Sequence, residues 1–132
     1  MTQKEYDLSC YRLSQAEETL KGSVVCFDNG LFKDLINRSY YVVFYAIKAV
    51  LALDSADFKR HKDAINYFNQ YYIATEIFPK ELGKKIGRIK KIRENSDYDD
   101  FYIASRKEAY EQIETAEFAL KLISGYLIGK YV

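Results

Sequence analysis

The chain has one proline, Pro79, and only six glycines. So little punctuation leaves few tight turns, and Lys, Glu, Leu, Ile and Ala dominate outside the aromatics, which disfavours a strand-and-turn architecture and points to helices. Histidine is scarcer still. His61 is the only one, with no Glu three residues before it, so neither an H-E-x-x-H zinc site nor the paired E-x-x-H motifs of a di-iron bundle can form within one chain. The two cysteines, Cys10 and Cys26, fall on one helical pattern about 24 Å apart, far beyond disulfide reach, so reduced thiols are expected. P-loop, G-x-G-x-x-G, G-x-S-x-G and C-x-x-C patterns are all missing, which removes the common nucleotide-fold, hydrolase and thiol-redox signatures. No cofactor is implied. No basic segment followed by an apolar one opens the chain, and no apolar run reaches about 18 residues, so neither a signal peptide nor a membrane span is expected and a cytoplasmic protein is the default. The formal charge of +1 gives no global pull towards nucleic acid or membrane, and any such partner must be met by a local patch.

What the chain has in abundance is aromatic and helical pattern. Its 132 residues suit one domain spanning 1–132. From Tyr40 to Leu53 every residue except Lys48 is apolar or aromatic, the mark of a helix covered on nearly every side. Leu31, Leu35, Arg38, Val42, Ala49 and Leu53 share one stripe at 100° per residue, which would set the Arg38 guanidinium among apolar side chains, where it needs a partner such as Asp34. Upstream, Tyr6, Cys10, Leu13, Leu20, Val24 and Phe27 form the stripe of a first long helix from about Gln3, with Lys4, Glu5, Arg12, Glu17 and Lys21 outside. Asp28-Asn29-Gly30 is a strong stop.

After Leu53 a polar run leads to a shorter third helix through Ala64, Ile65, Phe68, Tyr71 and Tyr72, with His61 at its start as a surface residue. Ile73 to Phe78 reads as a kinked connection, and Pro79 suits the start of a fourth helix. On that helix Leu82, Ile86, Ile89 and Arg93 share a face, opposite Lys84, Arg88 and Lys91, and Asn95-Ser96-Asp97 is expected to break it. Arg93 therefore ends an apolar stripe and calls for an acid such as Asp97 or Asp100. Ser105-Arg106-Lys107-Glu108 has the form of a capping box, and Ala109, Ile113, Ala116, Leu120, Ile123 and Leu127 form the seam of a fifth helix. The expected fold is all-α, a compact up-and-down helical bundle of about five helices.

Asn37-Arg38-Ser39-Tyr40-Tyr41 with Phe44, followed downstream by Arg93-Glu94-Asn95-Ser96-Asp97-Tyr98, resembles the HEPN domain, especially its small stand-alone proteins often encoded beside a minimal nucleotidyltransferase. The resemblance covers most of the chain. It implies a helical bundle that dimerises, and in many family members a metal-independent endoribonuclease whose arginine and histidine, in an R-x(4-6)-H motif, act from both subunits. By resemblance Arg93 is the motif arginine. The chain departs from that motif: Tyr98 stands where a histidine would follow, and free tyrosine, with a pKa of about 10, accepts a proton near neutrality only with help from nearby cations.

A binding site is easier to support, because guanidinium forks suit phosphate and tyrosine faces stack on bases. The leading expectation is RNA or nucleotide binding through Arg93 and Tyr98, with Asn37, Arg38 and Asp97 shaping the site, in a toxin–antitoxin-like pair with a minimal nucleotidyltransferase. The alternatives are an endoribonuclease in which Arg93 and Tyr98 are catalytic, and a non-catalytic dimeric interaction bundle. Packing explains Tyr40, Tyr41, Phe44 and Tyr45 without any ligand. The 13 tyrosines and 8 phenylalanines are many for one small bundle to bury, which is the physical motive for a homodimer.

Overall fold

A computed structural model describes all residues from Met1 to Val132. The chain forms α1 (Gln3–Asp28), α2 (Phe32–Leu53), α3 (His61–Phe68) running into a π-helical turn (Asn69–Ile73), α4 (Lys80–Tyr98) and α5 (Arg106–Tyr131), with no strand. This is the expected all-α bundle. It is organised by α2, which packs against each of the other four α-helices. Thirteen of its residues are buried, among them Ile36, Tyr40, Val43, Ile47 and Leu51. A helix apolar on nearly every side can shed that surface only by being surrounded.

The first helix buries Leu13 of the expected stripe, and beside it a face that the apolar stripe did not mark. Ser9, Ala16 and Ser23, seven residues apart in turn, are fully buried, whereas Val24 is 41% exposed. Small side chains let the two backbones approach, and the buried hydroxyls find partners. Ser9 Oγ donates to the Ala49 carbonyl at 2.7 Å, and Ser39 Oγ to Ser23 Oγ at 3.3 Å. Arg12, expected outside, is buried for the same reason: its Nη1 donates to the Lys48 carbonyl at 3.1 Å, and Nη2 lies 3.8 Å from Asp57. Charge alone suggested solvent. The close α1–α2 contact and a backbone acceptor decided otherwise.

Helix ends follow local chemistry. Thr2 and Glu5 form a reciprocal capping box, and Gly30, at φ +70°, takes the left-handed position that ends α1. Ser105 Oγ accepts from the Glu108 amide as expected, but the Glu108 carboxylate turns instead to the Tyr102 hydroxyl. Asn95-Ser96-Asp97 does not break α4, which continues to Tyr98. Ser96 is buried and carries the apolar face one turn further. The connection expected over Ile73 to Phe78 leaves α3 through the π turn and bends at Glu76, whose φ is +66°; Ile73 Cγ2 would lie 3.1 Å from a Cβ on Gly83 of α4.

No helix is long and apolar enough to cross a membrane. Two substitutions check this packing by urea unfolding. Ile47→Ala, at a fully buried position of α2, is expected to cost about 2–5 kcal/mol. Gly87→Ala, on the exposed face of α4 with nothing within 4 Å of a new Cβ, is expected to add about 0.5–1 kcal/mol of stability, read as a higher midpoint at unchanged slope.

Candidate functional site

The site assembles where the N-terminal half of α2, the first residue of α3 and the last turns of α4 meet. On α2, Tyr40 and Tyr41 stand edge to face at 5.3 Å between ring centres, with Phe44 one turn on from Tyr40. Arg93 of α4 lays its guanidinium over both tyrosines, 4.9 Å from the Tyr40 ring centre and 5.7 Å from that of Tyr41. Cation–π attraction of this kind is worth more where water is excluded. The Arg93 side chain is 24% exposed. Its Nε sits 2.9 Å from Asp97 Oδ2, but the N–H does not point along that line, so the contact is an ion pair and Nε keeps no hydrogen bond. The terminal nitrogens of Arg93 have no partner within the chain. Asp97 and the two rings thus hold the fork in place while leaving its donors unused.

His61 belongs to the same cluster and is not the surface residue expected from its place at a helix start. It is half-buried. Its ring stacks on Phe44 at 3.9 Å, meets Tyr41 edge to face at 5.6 Å, and its Nδ1 lies 3.0 Å from the Tyr40 hydroxyl. Burial, with the Arg93 and Lys48 charges adding to it, holds the imidazole pKa below its ordinary value. Tyr40 is driven the other way: burial pushes its hydroxyl up to about 12 although Arg93 opposes the shift. Near neutrality the cluster therefore holds a neutral imidazole, an un-ionised phenol and one fixed cation.

Tyr41 is also the wall of a second feature. Between α1 and α2 an open hollow of about 370 Å³ is lined by Thr19, Asp34, Asn37, Arg38, Tyr41 and Tyr45. Arg38 is exposed, not buried among apolar side chains, and makes no ion pair with Asp34. It lies across α1 at Gly22, where an added Cβ would come within 3.2 Å of Nη1. The notch at Gly22 lets the stem cross the helix while the charge stays in water. Asn37, Arg38, Arg93 and Asp97 are thus joined through Tyr41 in one surface. Tyr98 is set apart: five residues beyond Arg93 it lies about 140° round the helix, and it is 86% exposed. No group of three His, Cys, Asp or Glu side chains is placed to hold a metal ion.

Sequence reasoning found the arginines and missed His61. No local spacing could reveal it, because its partners lie on two other helices. The tyrosines pack as their helical spacing predicts, and Tyr40 and Tyr41 also form the platform for Arg93.

Comparison with known proteins agrees with the fold. Residues 6–126 match the HEPN domain. A UPF0332 protein of Thermotoga maritima is 28% identical over 93% of this chain and 92% of its own length. A candidate toxin of Methanocaldococcus jannaschii is 26% identical over 91% of this chain and 82% of its own length, and a UPF0332 protein of Gloeobacter violaceus is 30% identical over 74% and 75% respectively.

As the only histidine, His61 gives a self-identifying imidazole signal in proton NMR. That signal is expected to titrate below 6.5 and to move upward in Lys48→Met, which removes one of the opposing charges. Because the folded value is depressed, stability should be undiminished above about pH 6.5 and fall as pH drops from there through the folded value. Urea midpoints on either side of that window, compared with His61→Gln, give the sign.

Proposed function

This chain belongs to the HEPN family, and from that premise we propose that it binds RNA or a nucleotide at the Arg93–Tyr41 surface, as the toxin-like member of a pair with a minimal nucleotidyltransferase. The observation that carries the reading is the state of Arg93: fixed by Tyr40, Tyr41 and Asp97, yet with its terminal donors unpartnered. A guanidinium held rigidly loses little freedom when a phosphate docks on it, so its hydrogen bonds are gained at low entropic cost. Arg38 offers a second cation and Asn37 an amide at the far side of Tyr41, and the Tyr41 and Tyr45 rings, 5.5 Å apart, line a hollow in which a base can stack. Tyr98, free of neighbours, can stack on a further base of a longer strand. The names given to the Methanocaldococcus relatives support a toxin-like role.

The connection between α4 and α5 supports self-association. Phe101 and Ile103 are 90% and 89% exposed, bare apolar side chains that water tolerates poorly. Asp99 and Asp100 directly precede them in the chain, so a homodimer or the nucleotidyltransferase would cover the segment with a basic rim.

Fluorescence anisotropy with a labelled single-stranded RNA tests the binding. Arg93→Ala is expected to weaken it about 10- to 100-fold, the range of a lost charge-assisted hydrogen bond, and Tyr41→Leu by about 1–3 kcal/mol, the range of one stacked base. Equal affinity of wild type and Arg93→Ala would remove the reading. Sedimentation equilibrium tests the dimer: wild type should associate at micromolar concentration and Phe101→Glu with Ile103→Glu should not. A monomeric wild type would rule the dimer out.

A further inference from the structure

We propose that the hollow between the start of α1 and the linker leaving α2 is a binding pocket for a small monocarboxylate with a short aliphatic chain, and that Arg12 is its anchor. The pocket shares no lining residue with the hollow beside Tyr41, and the proposal does not rest on the RNA-binding reading.

The state of Arg12 carries it. Burying a guanidinium is costly unless a hydrogen-bonded counter-charge goes with it, and Arg12 is only 9% exposed. Within the chain its side chain makes one hydrogen bond, from Nη1 to the Lys48 carbonyl at 3.1 Å, which satisfies a donor and leaves the charge unbalanced. The carboxylate in reach does not complete it. Asp57 Oδ1 lies 3.8 Å from Nη2, beyond hydrogen-bond distance, and the same oxygen accepts from the Phe58 amide at 3.0 Å. Lys48 Nζ is also 3.8 Å from that oxygen, so two cations share one carboxylate whose side chain is 72% exposed. The unbonded nitrogens of Arg12 keep access to solvent, and the side chain lines the hollow.

The hollow has the size and lining for the missing partner. Its volume is about 300 Å³, Leu8, Ala52 and Ala56 give it apolar walls, and Lys4 adds a cation. Glu5 lines it too but is already engaged: one oxygen accepts from the Ser55 hydroxyl and the other from the Thr2 amide at 2.7 Å. Those two bonds hold the Glu5 carboxyl below its ordinary range. Ser55 sits at φ +53°, a left-handed conformation that a non-glycine residue keeps only when its surroundings impose it, so this wall is in place before anything binds. A planar carboxylate matches the guanidinium fork. Its single charge suits a hollow that already holds Glu5 and Asp57, whereas both would repel the dianion of a phosphate. The apolar walls call for a short aliphatic chain behind the carboxylate. A free acid and the C-terminal residue of a peptide share this chemistry.

The test titrates the isotope-labelled full chain with isovalerate, followed by NMR at fixed ionic strength. Isoamyl alcohol is the uncharged match in shape, and inorganic phosphate is a second anion. Isovalerate should shift the amides of Leu8, Ser55 and Ala56 and the Arg12 Nε–H signal along one saturating curve. The alcohol and phosphate should bind at least about ten-fold more weakly, since one lacks the charge and the other meets two carboxylates. Asp57→Asn should bind isovalerate about five-fold more tightly, the effect of removing one like charge at about 4 Å in water. If Asp57 were simply the structural counter-ion of Arg12, that variant would show a lower urea midpoint and no gain in binding. Arg12→Lys, which keeps the charge and removes the fork, should bind about ten-fold more weakly. Because that change also disturbs packing, Ala56→Leu is read beside it: it fills the hollow, leaves Arg12 untouched, and should lose saturable binding in a chain that still unfolds cooperatively. N-acetyl-glycyl-valine and its C-terminal amide separate the two sources. Tighter binding of the dipeptide acid than of isovalerate assigns the pocket to a chain terminus, weaker binding assigns it to a free acid, and either supports the carboxylate. Shifts that never saturate with isovalerate, equal binding of the alcohol or the amide, tighter binding of phosphate, no gain in Asp57→Asn, or undiminished binding by Ala56→Leu would overturn the proposal.

Discussion

The constraint on which the rest of the structure depends is the apolar girth of α2. A helix that is hydrophobic on nearly every side must be enclosed, and four other helices are spent on enclosing it. Two kinds of contact result. Towards α1 the seal is made by small residues, Ser9, Ala16 and Ser23, which bring backbones close enough for Ser9 to reach the Ala49 carbonyl and Ser39 to reach Ser23. Towards α3 and α4 it is made by aromatic rings, and rings present faces that attract cations. Arg93 comes to rest on such faces at the end of the α4 apolar stripe.

That position explains the electrostatics of the neighbourhood. The platform of Tyr40 and Tyr41 desolvates Arg93 only partly, and Asp97 balances its charge without saturating its donors. The cation then acts on its surroundings: it opposes protonation of His61 and moderates the rise that burial forces on Tyr40. A phosphate arriving at Arg93 would meet a guanidinium already placed, a neutral imidazole beside it and a tyrosine wall leading to Arg38. The same residues that close the core thus leave one polar corner unsatisfied.

How far the sequence revealed this can be argued residue by residue. The period of α5 was plain because Ala109, Ile113, Ala116, Leu120, Ile123 and Leu127 form one continuous apolar stripe, and all six are buried. The face of α1 was legible only in part: Leu13 of the expected stripe is buried, but so are Ser9, Ala16 and Ser23, whose small size matters more than their polarity and leaves no hydrophobic signal. Arg12 went inside for want of any sequence mark of the Lys48 carbonyl that receives it. Arg93 and its ion pair with Asp97 were legible, since a cation at the end of an apolar stripe with an acid one turn on is a local pattern. Arg38 was placed wrongly because the notch at Gly22 belongs to another helix. His61 was undervalued on the same ground: a site made by three helices has no spacing in one dimension.

The most direct measurement is a double-mutant cycle between Arg93 and Tyr41 read in RNA affinity, using Arg93→Gln, Tyr41→Leu and the double variant on one strand at one salt concentration. If the tyrosine platform is what presents the guanidinium to phosphate, the two losses should fall short of additive by about 1 kcal/mol, because removing the platform already disables the fork. Strict additivity, with each variant losing the same factor in either background, would contradict it and leave Arg93 and Tyr41 as separate contacts on a surface that happens to contain both.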